Sequence, residues 1–190
     1  RCAESCVHPA HTLLEVKTPC RIIAAVCAAF ILICGLAVAL RASYPRPYAE
    51  TVRASGIPPS LAYAVMKAES NFDETAVSRA GAVGIMQIRP STAEYICRRQ
   101  GMEFHAEKLL EGNYNVTIGC MYLAYLLERF PDERAAICAY NAGEGTVRRW
   151  LADQTYSADG NILSEIPYPE TQKKKKKVSD FRKIYEIFYG

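Results

Sequence analysis

Metal-site spacing is missing from this sequence. It has eight cysteines and three histidines among 190 residues. Cys2 and Cys6 fall close together, but no second pair or histidine cluster follows at zinc-binding intervals, which excludes a zinc framework. Sustained two-residue alternation of apolar and polar side chains is also absent, which excludes a sheet-built domain. There is no internal repeat and no long Gly/Ser linker, so the length fits one compact domain plus appendages. Strong net charge is lacking too. The formal charge is +3, and without the five consecutive lysines 173–177 it would be −2.

What is present is helical periodicity. Pro58 and Pro59 suit a helix start, where a missing N–H costs nothing. Leu61, Ala64, Val65, Ala68 and Phe72 then recur at helical spacing, which predicts a helix from Pro58 to Phe72. Glu69 shares the edge of that apolar stripe. Desolvation raises the pKa of a carboxyl, and an acid still protonated near neutral pH can donate to a glycosidic oxygen. Taken alone, such a glutamate reads as a helix-surface residue. Asp73, one turn on, reads as a solvated residue at the helix end.

After Ser78 comes Gly81-Ala82-Val83-Gly84-Ile85-Met86-Gln87-Ile88-Arg89-Pro90. Its glycines permit backbone geometry and close approach that a side chain would block. Gln87 both donates and accepts hydrogen bonds, as sugar hydroxyls and acetamido groups require. By itself the segment also reads as an ordinary turn into a helix at Pro90-Ser91-Thr92-Ala93. Asn113 to Leu127 carries a broad apolar face of Val116, Ile118, Gly119, Tyr122, Leu123, Leu126 and Leu127, best read as core. Asp132 to Asn141 predicts a short helix stopped by Gly143, with Tyr140 and Asn141 projecting at its end.

These elements, in this order, resemble the catalytic domain of the soluble-lytic-transglycosylase-like family. The carriers are Glu69-Ser70-Asn71-Phe72, Ser78, Gly81 to Pro90, Thr92-Ala93 and Ala139-Tyr140-Asn141-Ala142-Gly143. The likeness runs from about Tyr48 to Val178. It implies a mainly α, lysozyme-like domain with a saccharide cleft between helices. It implies Glu69 as the catalytic acid, and Ser70, Ser78, Met86, Gln87, Tyr140 and Asn141 as substrate-binding residues. It implies peptidoglycan glycan strands as the partner, no nucleic acid, and no metal or cofactor.

The implied reaction cuts the MurNAc–GlcNAc β-1,4 bond and leaves a 1,6-anhydro-MurNAc end. Ordinary glycosidases use two carboxylates, whereas the motifs here offer one. A lysozyme-like hydrolase and an inactive wall-binding or assembly module are the alternatives.

Ile22 to Leu40 is apolar or small throughout and uncharged, long enough at nineteen residues to span a membrane. A cleavable signal has a shorter apolar region, so an anchor is the first reading and cleavage after Ala37-Val38-Ala39 the second. The expected organisation is 1–21 as a cytoplasmic segment, 22–40 as the anchor, 41–47 as a spacer and 48–190 as the catalytic domain outside the membrane. The flanking charges do not settle the orientation; the implied substrate does. Cys97, Cys120 and Cys138 fall on predicted helices, and a Cys120–Cys138 pairing is one open option.

The lysine run departs from the family pattern. Ile166 to Thr171 and Val178 match, yet Lys174 and Lys175 stand where the family has a Tyr-Val pair beside the glutamate. A lysine there favours ionised Glu69. The run reads otherwise as a solvated helix face drawn to anionic polymers or head groups.

Overall fold

The computed structural model describes residues 17–189. The chain divides between Pro45 and Arg46 into two compact units. The first holds α1, Lys17–Ser43, and from Arg21 to Ser43 it is long and apolar enough to cross a membrane. Its large apolar side chains, such as Phe30 and Leu32, are exposed. The helix runs through Arg41–Ser43, so part of the expected spacer is helical. The expected 1–21 segment lies largely outside the described residues.

The second unit holds α2 (Ala49–Ala54), α3 (Pro59–Glu69), α4 (Pro90–Arg99), a short 3-10 turn (Ala106–Leu110), α5 (Gly112–Arg129), α6 (Glu133–Ala142), α7 (Glu144–Ala152) and α8 (Pro169–Tyr189). No strand forms among the described residues. Among the described residues the only extended pairing is two isolated bridges, Val77 with Val83 and Val83 with Ile88. The mainly helical expectation therefore holds.

Helix α3 buries Leu61, Ala62, Ala64, Val65 and Met66 and packs chiefly against α8. There Tyr63 stacks on Tyr185 with ring centroids 5.3 Å apart. Helix α5 buries Val116, Ile118, Leu123 and Leu126 and packs against α4 and α6.

Two expectations need correction. Helix α3 stops at Glu69 rather than reaching Phe72. Asn71 and Phe72 both turn left-handed, at φ 55° and 69°, and break the helical hydrogen-bond ladder. The lysine run lies inside α8, as a helix face would. Cys97, Cys120 and Cys138 are all free and buried, so the open Cys120–Cys138 pairing is not formed. Burial pushes the Cys120 and Cys138 thiols up to about 11.

Candidate active site

The site is built around a loop that the sequence leaves irregular. Between α3 and α4 the chain makes turn-type backbone bonds of its own, such as the exchange between Val83 and Ile88 at 3.0 and 3.1 Å, and Asn115 on α5 adds two more. Asn115 is fully buried. Its side-chain oxygen accepts from the Met86 N–H at 2.8 Å. Its amide donates to the Val83 and Leu109 carbonyls at 2.9 and 2.8 Å. Gly84 lets the loop come this close: at φ 75°, a Cβ there would lie 2.4 Å from the Asn115 amide nitrogen. Gly119 does the same for Met86, since a Cβ would lie 2.3 Å from its sulfur. Asn115 was not among the expected site residues; it heads the Asn-x-x-x-Gly-x-x-Tyr-Leu element of residues 115–123, whose side chains read as core packing. A lone Asn on an apolar helix face carries a signal, because a buried amide must be satisfied.

A cleft of about 820 Å³ opens beside this loop. Glu69, Ser78, Gln87, Tyr140 and Asn141 all line it, so five of the seven expected site residues meet there. The two others serve the frame. Met86 has its side chain fully buried under Gly119, so it shapes the wall from behind rather than contacting the cleft. The Ser70 hydroxyl donates to the Ile85 carbonyl at 2.8 Å and ties the end of α3 to the loop.

Glu69 is the last residue of α3, and its side chain is 9% exposed. The negative end of a helix adds to burial in favouring a neutral carboxyl there. Lys174 of α8 donates directly to the Glu69 carboxylate. Burial pushes Glu69 above the usual carboxylate range; Lys174 and the more distant Lys177 oppose that rise, and Glu170 adds to it. Burial outweighs the lysines, so the net direction is upward. The expectation that a lysine at this position faces the glutamate holds. Lys175 faces elsewhere, its charge being felt at Cys138.

The remaining lining groups are held in place. The Tyr140 hydroxyl donates to the Met86 carbonyl at 2.9 Å, and burial raises its pKa well above the usual tyrosine value. Its ring rests against Tyr122, with centroids 5.1 Å apart. The Thr171 hydroxyl donates to the Asn141 side-chain oxygen at 2.8 Å, joining α6 to the start of α8. Gln87 sits at φ 49°, an uncommon left-handed position for this residue type. Its amide donates to the Ala76 and Gly84 carbonyls at 3.0 and 2.9 Å, leaving its oxygen for the cleft. The Ala82 N–H donates to the Ser78 hydroxyl at 3.0 Å. Asp73 is exposed and bound to Thr75, as expected of a solvated residue, and is not part of the cleft lining. Glu170 does line the cleft, which the sequence reading missed.

A second cavity of about 440 Å³, among Arg53, Tyr63, Tyr185 and Glu186, contains none of the expected site residues.

With this geometry in view, the likeness to known proteins becomes specific. The chain is 35% identical over 138 residues to the soluble lytic murein transglycosylase of Escherichia coli strain K12, covering 70% of this chain and 21% of that protein. It is 33% identical over 153 residues to the membrane-bound lytic murein transglycosylase C of Actinobacillus pleuropneumoniae serotype 5b, covering 68% of this chain and 42% of that protein. The crystal structure of the 70 kDa soluble lytic transglycosylase of Escherichia coli superposes with a TM-score of 0.69 at 32% identity, covering 77% of this chain and 25% of that one. The chain thus spans about a fifth of the soluble relative and under half of the membrane-bound one. The Transglycosylase SLT domain family matches residues 47–163, and the chain belongs to that family.

Proposed function

We propose that this domain is a peptidoglycan lytic transglycosylase, tethered by α1 with the cleft on the outer side of the membrane. The observation that carries the reading is Glu69, a carboxyl raised by burial at a helix end, opening into a cleft lined with hydrogen-bonding groups. Glu69 protonates the bridging oxygen as the bond from the muramic C1 breaks, and the proton leaves with the GlcNAc 4-hydroxyl. The substrate's own N-acetyl oxygen shields the cationic C1, so no second protein carboxylate is needed. Glu69, now ionised, takes the proton of the muramic 6-hydroxyl, and that oxygen closes on C1 to form the 1,6-anhydro ring.

Mass spectrometry of purified peptidoglycan digested with the protein tests this. Anhydro ends are expected, whereas reducing ends would make the enzyme a hydrolase. One observation favours a further reading: Lys174 donates to Glu69 and opposes its protonation, which suits a wall-binding module without turnover. Retained muropeptide binding with no product would establish that reading instead.

The tether rests on the apolar run of α1 and on a membrane-bound relative. Protease added to intact, wall-stripped cells should digest the domain; a protected domain would reverse the orientation.

A further inference from the structure

The cleft has a charge imbalance at the moment its chemistry needs Glu69 neutral. Arg79, Arg89 and Lys174 line it against two carboxylates, Glu69 and Glu170. Glu69 is faced by Lys174, Lys177 and Glu170 from α8 and by Tyr140 from α6. Lys174 is 24% exposed, and its ammonium is compensated by Glu69. Protonating Glu69 leaves that ammonium in a partly dry position without its counter-ion, which is costly. Glu170 lies one turn earlier on α8 but is exposed, and an exposed i,i+4 pair contributes little.

An anion brought by the substrate removes this cost. It accepts the Lys174 hydrogen bonds, and Glu69 takes up a proton from solvent and becomes an acid. The substrate of the reaction proposed above has such groups. The lactyl ether of muramic acid ends in a carboxylate when no peptide is attached, and peptide stems carry carboxylates of their own.

We propose that Lys174 selects glycan strands bearing a free carboxylate beside the scissile bond, by exchanging Glu69 for that carboxylate as its partner. The inference rests on reading the cleft as a glycan site. The specificity then lies with a residue outside the 47–163 family match. Charge-assisted hydrogen bonds are strong enough to discriminate such a ligand from its neutral amide.

Calorimetry on the full chain in detergent tests it with three probes. The first is a muramyl oligosaccharide with a free lactyl carboxylate. The second is the same sugar amidated at that carboxyl, and the third carries a peptide stem. The wild type should bind the first at least about tenfold more tightly than the second. Lys174→Met should bind both alike, and Lys174→Arg should keep the preference, which guards against a folding artefact. Tight binding of the third probe would assign the carboxylate to the stem, and weak binding would assign it to the lactyl ether. Titrations in buffers of different ionisation enthalpy should show uptake of up to about one proton with the preferred probe, and none in Glu69→Gln.

Equal affinity for all probes, no binding of any, no proton uptake, or a preference that survives Lys174→Met would each overturn the proposal. Failure of the wild type to cleave any glycan would sink the transglycosylase reading while the binding preference still decides the role of Lys174.

Discussion

The ammonium of Lys174 rests on the carboxylate of Glu69, 105 residues earlier in the chain. One residue thereby opposes what burial does to the other. Burial favours the proton that an acid must carry, and Lys174 favours the ion that cannot donate it.

The first expectation concerns that pair and pH. Glu69 acts as an acid only when protonated, so activity is lost as pH rises through its pKa. Lys174 lowers that pKa from where burial alone would put it. Lys174→Met should therefore shift the high-pH limb of kcat/KM upward. Because Lys175 faces away, adding Lys175→Val to Lys174→Tyr should move the limb no further than the Lys174 change alone. An unshifted limb would remove Lys174 from control of the acid.

Glu69→Gln keeps the shape of the side chain but removes the transferable proton. Turnover of peptidoglycan should fall by at least about 10²–10⁴-fold, the range for losing general acid–base catalysis. The variant should still fold, since a neutral amide suits a nearly buried edge, but with a lowered Tm because Lys174 loses its counter-ion. Near-normal turnover would take Glu69 out of the mechanism.

Asn115→Ala should unfold the loop before it touches the chemistry. It strands the Met86 N–H and takes one donor each from the Val83 and Leu109 carbonyls, Val83 keeping the Ile88 N–H, at a cost of about 1–3 kcal/mol. Asn115→Asp keeps the acceptor for Met86 but sets a carboxylate against two carbonyls, so it should be destabilising as well. Denaturant unfolding of both variants measures this. A wild-type midpoint in Asn115→Ala would show that the amide is dispensable.

A fourth expectation lies away from the cleft, where Glu144 ties α7 to α5. Burial would raise its carboxyl, but hydrogen bonds from Tyr125, Arg148 and Arg129 outweigh that and hold it below the usual carboxylate range. A depressed folded pKa means its stabilisation is present above the ordinary glutamate value, near pH 4.3, and is lost as pH falls below it. Glu144→Gln should therefore lower Tm at pH 7, and the gap to wild type should close towards pH 3. A constant gap would mean the contribution is packing rather than charge.

Much of the fold could be read from local pattern. Helices α3, α5 and α6 lie within a few residues of their expected bounds, because an apolar stripe at 3.6-residue spacing is a property of consecutive side chains. The ends were less legible. Phe72 continues the apolar spacing of α3, yet the left-handed turn at Asn71 throws it off the helix. The site residues Glu69, Ser78, Gln87, Tyr140 and Asn141 were legible as motifs whose order and spacing resemble a known family.

Which of those side chains would meet the cleft was decided only by the tertiary structure. Ser70 and Met86 belong to the same motifs, but the backbone of Ile85 and the absent side chain of Gly119 draw them into the frame. Asn115 gained its role because the Met86 N–H finds no partner within the loop and must be satisfied by what packs against it. The lysine run shows the division most sharply. Residue order alone sets five ammonium groups side by side, and helical rotation of about 100° per residue separates them. The packing of α8 against α3 then decided that Lys174 meets Glu69 while Lys176 turns out to Asp180 in solvent.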